Sequence, residues 1–448
     1  MSQNLFLKTR PSTLFMKAAI PGGISMLASS LYGVFESIFV GKFLGTTAYA
    51  AFGIAFPFII MNFALAELIG VGSSVPISIF LGQKKDDKAN NYFTCSILLT
   101  IFTGIISGLI IFFGAPVALR LIGADGELLE LAVRYLRIYA VCSPIATLIF
   151  ALDNYLRISG KMKTSMILNI FFSFFAILLV FLFVRVIPLG ITGAALGSCI
   201  AMIVCVLFIL ALFAPGKLQL KFVRPRFSKG MISKIYKNGF APFLTNISGR
   251  LFSIAMNVML LKMGGEQGVA VYTVIMTLAG IIEQLLYGVV DSLQPVIGYN
   301  YGAKCFDRVK QIEKYIFTTG ATISIVGGII MFLFPSTIAT PFLEDLTILD
   351  MAVFAIKISS FAYVTKWLAT SIQCFFMALE KPSQAMIISV SSSCVFPLLL
   401  IPALLPFKLT GLWLNYPLSA LLTTVLAVVI LFAYKNKLFV TTTDKTQK

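Results

Sequence analysis

The chain carries two copies of one pattern, offset by about 220 residues, and any fold has to accommodate both. Arg157-Ile-Ser-Gly-Lys-Met-Lys-Thr-Ser-Met lies between two apolar runs, and Met377-Ala-Leu-Glu-Lys-Pro-Ser-Gln-Ala-Met lies between two more. The same offset sets Leu81-Gly-Gln-Lys on Tyr301-Gly-Ala-Lys, and Leu131-Ala-Val-Arg-Tyr-Leu-Arg-Ile on Met351-Ala-Val-Phe-Ala-Ile-Lys-Ile. A slightly shorter offset sets Leu189-Gly-Ile-Thr-Gly on Lys408-Leu-Thr-Gly. Many secondary transporters are duplicated bundles with a site between the halves, so the repeat itself points towards transport.

Of the 448 residues, 58% are hydrophobic and 12% charged, more apolar surface than a water-soluble domain can hide. Apolar runs recur along the whole chain, each near the ~20 residues that cross a bilayer core. Spans are expected near 14–40, 48–80, 91–118, 130–158, 164–187, 190–214, 234–262, 268–300, 312–334, 347–378, 383–406 and 409–434. The fold class that follows is an all-α polytopic membrane protein, with twelve transmembrane helices in two six-helix bundles around a central cavity. Six is even, so the copies are parallel, related by an axis along the membrane normal. The expected organisation is an N-terminal lobe over 1–214, an interlobe linker over 215–233 and a C-terminal lobe over 234–448. The linker is set by Pro215-Gly216 and Arg224-Pro225-Arg226, which break helices. The first span of each copy carries an early proline, Pro21 and Pro242, where a bend costs least.

The net charge of +17 is not a nucleic-acid signature, because of where it sits. Roughly 25 of the 35 Lys and Arg fall in alternate, same-side loops or tails, as the positive-inside rule requires. Lys84, Lys85 and Lys88 are one cluster, Lys304, Arg308 and Lys310 another, and the densest run extends from Lys217 to Lys237. The other side holds Asp125, Glu127 and Glu130, and later Glu344, Asp345 and Asp350. Both termini are therefore expected in the cytoplasm of a multi-pass protein of the plasma (inner) membrane. The basic face is expected to meet anionic lipid head groups rather than nucleic acid. No cleavable signal pattern precedes the first span. The seven Cys are irregularly spaced within or beside apolar runs and read as small hydrophobes. The chain has no His, so no metal centre or cofactor is expected, and a proton crossing the membrane must ride on a carboxylate.

Five acids fall inside spans: Glu36, Glu67, Asp153, Glu283 and Asp291. A charge at the centre of an isolated membrane helix costs ~2.5–3.5 kcal/mol, so each needs a partner, a watery cavity or a proton. Asp153 precedes Arg157 by one turn, and an i, i+4 ion pair is its simplest reading. Glu283, Tyr287, Asp291 and Gln294 line one stripe of the eighth span, facing the substrate cavity or neutralising Arg250 and Lys366. Glu36 lies about four residues from the end of its span, and Glu67 midway along the next. Neither has a basic residue at similar depth in its own span. The charge available for coupling is therefore expected in the first copy, at Glu36 alone or with Glu67 or Asp153, loaded by a proton or a sodium ion, with Glu283 and Asp291 of the second copy as the alternative.

Several strings resemble the multidrug and toxic compound extrusion (MATE) transporters over nearly the whole chain. They are Gln294-Pro-Val-Ile-Gly-Tyr-Asn-Tyr-Gly-Ala-Lys304, Thr192-Gly-Ala-Ala-Leu-Gly-Ser198, Glu36-Ser-Ile-Phe-Val-Gly41 with Leu44-Gly45, and Gly70-Val-Gly-Ser-Ser after Glu67. The resemblance implies two lobes across a V-shaped cavity and export of amphiphilic, often cationic compounds against inward proton or sodium flow. Family members commonly carry an acid where Glu36 stands. They also carry an Asn and an Asp in helix five, near Ala176 and Val180 here, and this chain lacks both.

The leading reading is thus a cation-coupled antiporter that exports small organic cations or amphiphiles by alternating access, functioning as a monomer. A flippase for a lipid-linked or anionic precursor is the alternative; it requires unpaired cations, for which Arg250 and Lys366 are the candidates. A membrane enzyme needs a metal or nucleophile constellation, and a channel needs a filter motif; neither is visible.

Overall fold

In a computed structural model that describes residues 2–342 and 346–435, the chain is 90% helical, with no strand among the described residues. Lipid offers no hydrogen bonds to a bare backbone, so apolar stretches of this length close their polar groups within helices. Among the described residues, nine long apolar helices and one bent pair give twelve apolar passages once two of the helices are divided at their breaks. The helix Pro11–Gly82 breaks at Gly45 into spans one (11–44) and two (46–82). Spans three to six are Asp86–Leu121, Gly126–Ile158, Met162–Val186 and Ile191–Phe213. Lys229–Gly265 and Gln267–Gly302 are spans seven and eight, and Phe306–Leu333 is span nine. Span ten, Ile348–Ser360 with Ala362–Ala378, is bent by 44°. The helix Pro382–Tyr434 is interrupted at 405–407, which separates span eleven (382–404) from span twelve, Lys408–Tyr434. Glu344 and Asp345 lie outside the described residues.

The repeat is written into the backbone as well as the sequence. Left-handed residues recur at the same offset: Gly45 and Gly265, Lys84 and Lys304, Gly160 and Glu380. Each of the last four closes a helix with the same pair of bonds. Lys85 N–H donates to Phe80 O and Cys305 N–H to Asn300 O, both at 2.9 Å; Lys161 N–H reaches Leu156 O and Lys381 N–H reaches Phe376 O. These are Schellman closures, which satisfy the last orphan carbonyls of spans two, four, eight and ten. At Gly45 and Gly265 the chain turns within a single residue. The sequence reading allowed a loop of several residues there; glycine's freedom at φ 87° and 61° removes the need for one. Span one consequently continues to 44, past the expected end at 40.

Helix crossings repeat too. A Cβ on Gly108 would stand 2.4 Å from Ala140 O, and one on Gly328 would stand 3.1 Å from Ser360 O, the same contact one offset later. Small residues let these backbones touch where lipid provides no hydrophobic drive to pack.

The chain forms two compact units, one containing Ile20–Phe243 and the other running from Leu244 onward together with Arg10–Ala19. The segment 215–233 is grouped with the first unit. Its extended part is strapped to span three: Lys221 N–H donates to Asn90 Oδ1 (2.9 Å), Val223 N–H to Thr94 Oγ1 (3.1 Å) and Arg226 N–H to Asn91 Oδ1 (2.8 Å). The start of span seven follows it, and Gly72 of span two meets Gly239 backbone to backbone. In the second unit, Phe15 of span one packs on Tyr315 of span nine.

The Gly72–Gly239 crossing generates a test. A Cβ at position 239 would stand 1.7 Å from Leu68 O, whereas one at Gly230 meets nothing. Gly239→Val is expected to cost about 2 kcal/mol or more through overpacking, and Gly230→Ala to be near neutral. Thermal unfolding of the detergent-purified proteins measures both, and equal melting temperatures would refute the crossing.

Candidate functional site

Glu36 projects from span one nine residues before the Gly45 corner, about 13 Å along the helix rather than the expected single turn. It is only 6% exposed. Tyr135 of span four lies a comparable distance from the same end, as does Ser198 of span six, so three helices deliver side chains to one level. Ser198 Oγ donates to Glu36 Oε1 at 2.9 Å and Tyr135 OH donates to the same oxygen at 3.3 Å. Tyr32, one turn before Glu36, donates to Ser198 Oγ at 2.7 Å. No Lys or Arg is among the partners of Glu36 in the described residues. The carboxyl is therefore held by neutral hydroxyls and compensated by no fixed charge.

Below it, span four continues a hydroxyl stripe at one-turn spacing: Tyr135, Tyr139, Ser143 and Thr147. Asn62 of span two bridges this stripe, accepting from Ser143 Oγ at 2.7 Å and donating to Tyr139 OH at 3.4 Å. Sequence reasoning found the acid and missed these groups. Their signal was present: hydroxyls four apart along span four, a Tyr one turn before Glu36, and a Ser closing the Thr192–Ser198 string.

The other expected coupling acids are placed elsewhere. Glu67 is half-buried on span two, on the order of 20 Å from Glu36 along the helices by rise per residue, so the two cannot share one ion. Asp153 is clamped. Arg157 Nη2 pairs with its Oδ2 at 2.7 Å, while Ser165 Oγ and Asn169 Nδ2 donate to Oδ1, Asn169 at 2.9 Å. That clamp ties span four to span five and leaves Asp153 a matched charge, not a free acid, which corrects its expected place beside Glu36.

In the second unit, the predicted network forms in part. Lys366 Nζ of span ten donates to Glu283 Oε1 of span eight. Tyr416 of span twelve donates to the same oxygen at 2.7 Å, accepts from Lys366 Nζ at 2.9 Å and places its ring 4.6 Å beneath the ammonium. Tyr363 OH lies 3.3 Å from Tyr416 OH. Beside this group Tyr272, Trp413 and Tyr416 line a cavity of about 10 Å³, water-sized. Gln294 Nε2 donates to Asp291 Oδ1 within the same helix, and Tyr287 is half-buried between the two acids. Arg250, exposed on span seven, forms none of the described ion pairs and does not join the network.

Among known proteins, the MatE family profile matches residues 21–182 and again 242–402, one match per copy. The multidrug export protein MepA of Staphylococcus aureus is 26% identical over 98% of this chain and 97% of its own length. MepA of Staphylococcus saprophyticus is 27% identical over 96% and 95%. A MOP-superfamily transporter from Pyrococcus furiosus superposes with a TM-score of 0.92 at 22% identity, covering 98% of both chains. The outward-facing structure of a multidrug-resistance MATE transporter does so equally well. Both copies being matched over most of their length, the chain belongs to the MATE family of membrane transporters.

Proposed function

We propose that this protein is a proton-coupled exporter of amphiphilic, often cationic small molecules, working as a monomer by alternating access, with both termini in the cytoplasm. One observation carries the proposal: Glu36 is buried and met only by hydroxyls. An ionised carboxyl with no counter-charge is costly in that setting, so binding a proton relieves it and losing the proton restores the cost. A group whose charge is worth several kcal/mol to the surrounding bundle biases one conformation over another when it loads. The curated relatives are named as multidrug exporters, which supports the same cargo class.

A proton is favoured over sodium because a metal cation needs several converging lone pairs beside the carboxylate. The helix-five Asn and Asp that would add such lone pairs are Ala176 and Val180, both fully buried and apolar. The flippase alternative loses one of its two cations, since Lys366 is spent on Glu283.

Proteoliposomes loaded with a fluorescent organic cation, under separate pH and sodium gradients, test the proposal. Glu36→Gln is expected to lower proton-driven exchange at least tenfold, and Asp291→Asn to leave more of it intact. Normal exchange by Glu36→Gln alongside failure of Asp291→Asn would move coupling to the second unit. Sodium-driven exchange by the wild type would reject the proton. The Glu283 pair gives a separate expectation. Lys366→Met strands a half-buried carboxylate and should destabilise by about 2 kcal/mol, and adding Glu283→Gln should recover most of that loss. Denaturation in detergent of these two variants and of Glu283→Gln alone reads it directly; additive losses would mean that the pair is not a unit.

A further inference from the structure

Span nine holds a second buried acid among the described residues, one that the sequence reading passed over. Glu313 is 6% exposed, and neither carboxyl oxygen has a hydrogen-bond partner among the described residues. It lies seven residues, about 10 Å, from the Phe306 end, which the proposed orientation places at the cytoplasm. The charged and titratable groups around it are engaged elsewhere or face away. Lys310 and Lys314, on its own span, are exposed. Arg308 donates to Asn300 Oδ1 at 3.0 Å. From span eight, Asp291 is bound by Gln294. From span ten, Cys374 lies within electrostatic reach of both Glu313 and Asp291.

The repeat supplies an internal control. One offset earlier, the equivalent of Glu313 is Phe93, fully buried, with ring centroids 5.2 Å from Tyr155, 5.0 Å from Phe213 and 5.1 Å from Phe222. The bundle thus fills this position with an apolar ring when packing alone is at stake. An acid kept for structure finds donors, as Asp153 does; Glu313 has none among the described residues.

Further polar atoms follow it along the seam between spans nine and ten. Gly320 and Ser324 continue the face of Glu313 at i+7 and i+11. A Cβ on Gly320 would stand 3.3 Å from Ser371 Oγ of span ten. Ser371 Oγ and Ser324 Oγ are both buried without a partner among the described residues. Ser371 lies little more than one turn from Lys366, the counter-ion of Glu283.

We propose that Glu313 is a second proton-binding site, separate from Glu36, entered from the cytoplasmic end of the second unit and connected along the Ser371–Ser324 seam to the Glu283–Lys366 pair. The proton binds and leaves a carboxyl oxygen, and no other bond changes. The inference rests on the exchanger reading, and it sets the number of protons moved per organic cation at two.

Two measurements on the purified full chain test it. Infrared difference spectra, recorded across a pH series and on addition of tetraphenylphosphonium, should show a protonated-carboxyl C=O band that responds to both and is missing from Glu313→Gln. In proteoliposomes clamped at zero membrane potential, Glu313→Gln should still exchange. Its limiting tetraphenylphosphonium gradient should fall about tenfold for each pH unit imposed, as expected for the loss of one of two coupled protons. Glu313→Phe, the residue used in the first copy, should behave the same and guards against a folding defect peculiar to Gln. A band that ignores pH and tetraphenylphosphonium, an identical spectrum in Glu313→Gln, or an unchanged limiting gradient would overturn the proposal. Full exchange by Glu36→Gln would instead defeat the exchanger reading while leaving the infrared assignment standing.

Discussion

A carboxyl group inside a bilayer has to be matched or neutral, and this fold answers that demand differently at each acid. Asp153 is matched by Arg157 one turn away, with Ser165 and Asn169 saturating its other oxygen. Glu283 is matched by Lys366 from a different helix, with Tyr416 locking both. Those two solutions spend a positive charge and gain rigidity. Glu36 spends none; it is surrounded by hydroxyls that can each donate or accept. A hydroxyl can turn to donate to the ionised acid or accept from the protonated one, so the shell keeps its hydrogen bonds in either state. An ion pair does not tolerate the change. What separates these acids is therefore the chemistry of their partners, not their depth.

Duplication allows the two copies to be compared position by position. The scaffold is conserved between them: the corner at Gly45 recurs at Gly265, the closures at Lys84 and Gly160 recur at Lys304 and Glu380, and the crossing at Gly108 recurs at Gly328. The acids are not conserved. Glu36 corresponds to Met256, Glu283 to Phe63 and Lys366 to Ala146, while Ser198 corresponds to Tyr416. One backbone thus carries a hydroxyl-ringed acid in the first unit and a locked ion pair in the second. Because the backbone is shared, these differences cannot be demands of the fold, and they mark where the copies have taken on separate work.

Much of this architecture was legible in the sequence, since bilayer thickness turns hydropathy into span positions and an offset into a repeat. The Asp153–Arg157 and Glu283–Lys366 pairs were legible too, because opposite charges at similar depth have few alternatives to each other. What stayed hidden depended on contacts across many residues. Ser198 and Tyr135 stand 162 and 99 positions from Glu36, and nothing in a hydroxyl residue announces which acid it serves. The strap over span three was hidden for a related reason: Asn90, Asn91 and Thr94 look like ordinary polar residues at a helix start, yet they act as a docking edge for passing backbone. Glu313 escaped notice because it lies among Lys310, Lys314 and Asp307 in the sequence, as a solvated helix end would, while the helix turns it alone inward.

Where the chain passes between compact units also follows from local chemistry. Span one changes unit between Ala19 and Ile20, and span seven between Phe243 and Leu244. Each change falls within two residues of an intrahelical proline, Pro21 or Pro242. Proline removes one backbone donor and crowds the carbonyl four residues earlier, so a helix bends there at least cost. Ser25 weakens the same stretch of span one further, since its hydroxyl occupies Pro21 O at 2.8 Å. Each helix that belongs to both units thus carries its softest turn at the change of unit, and in span one that turn lies about four turns from Glu36.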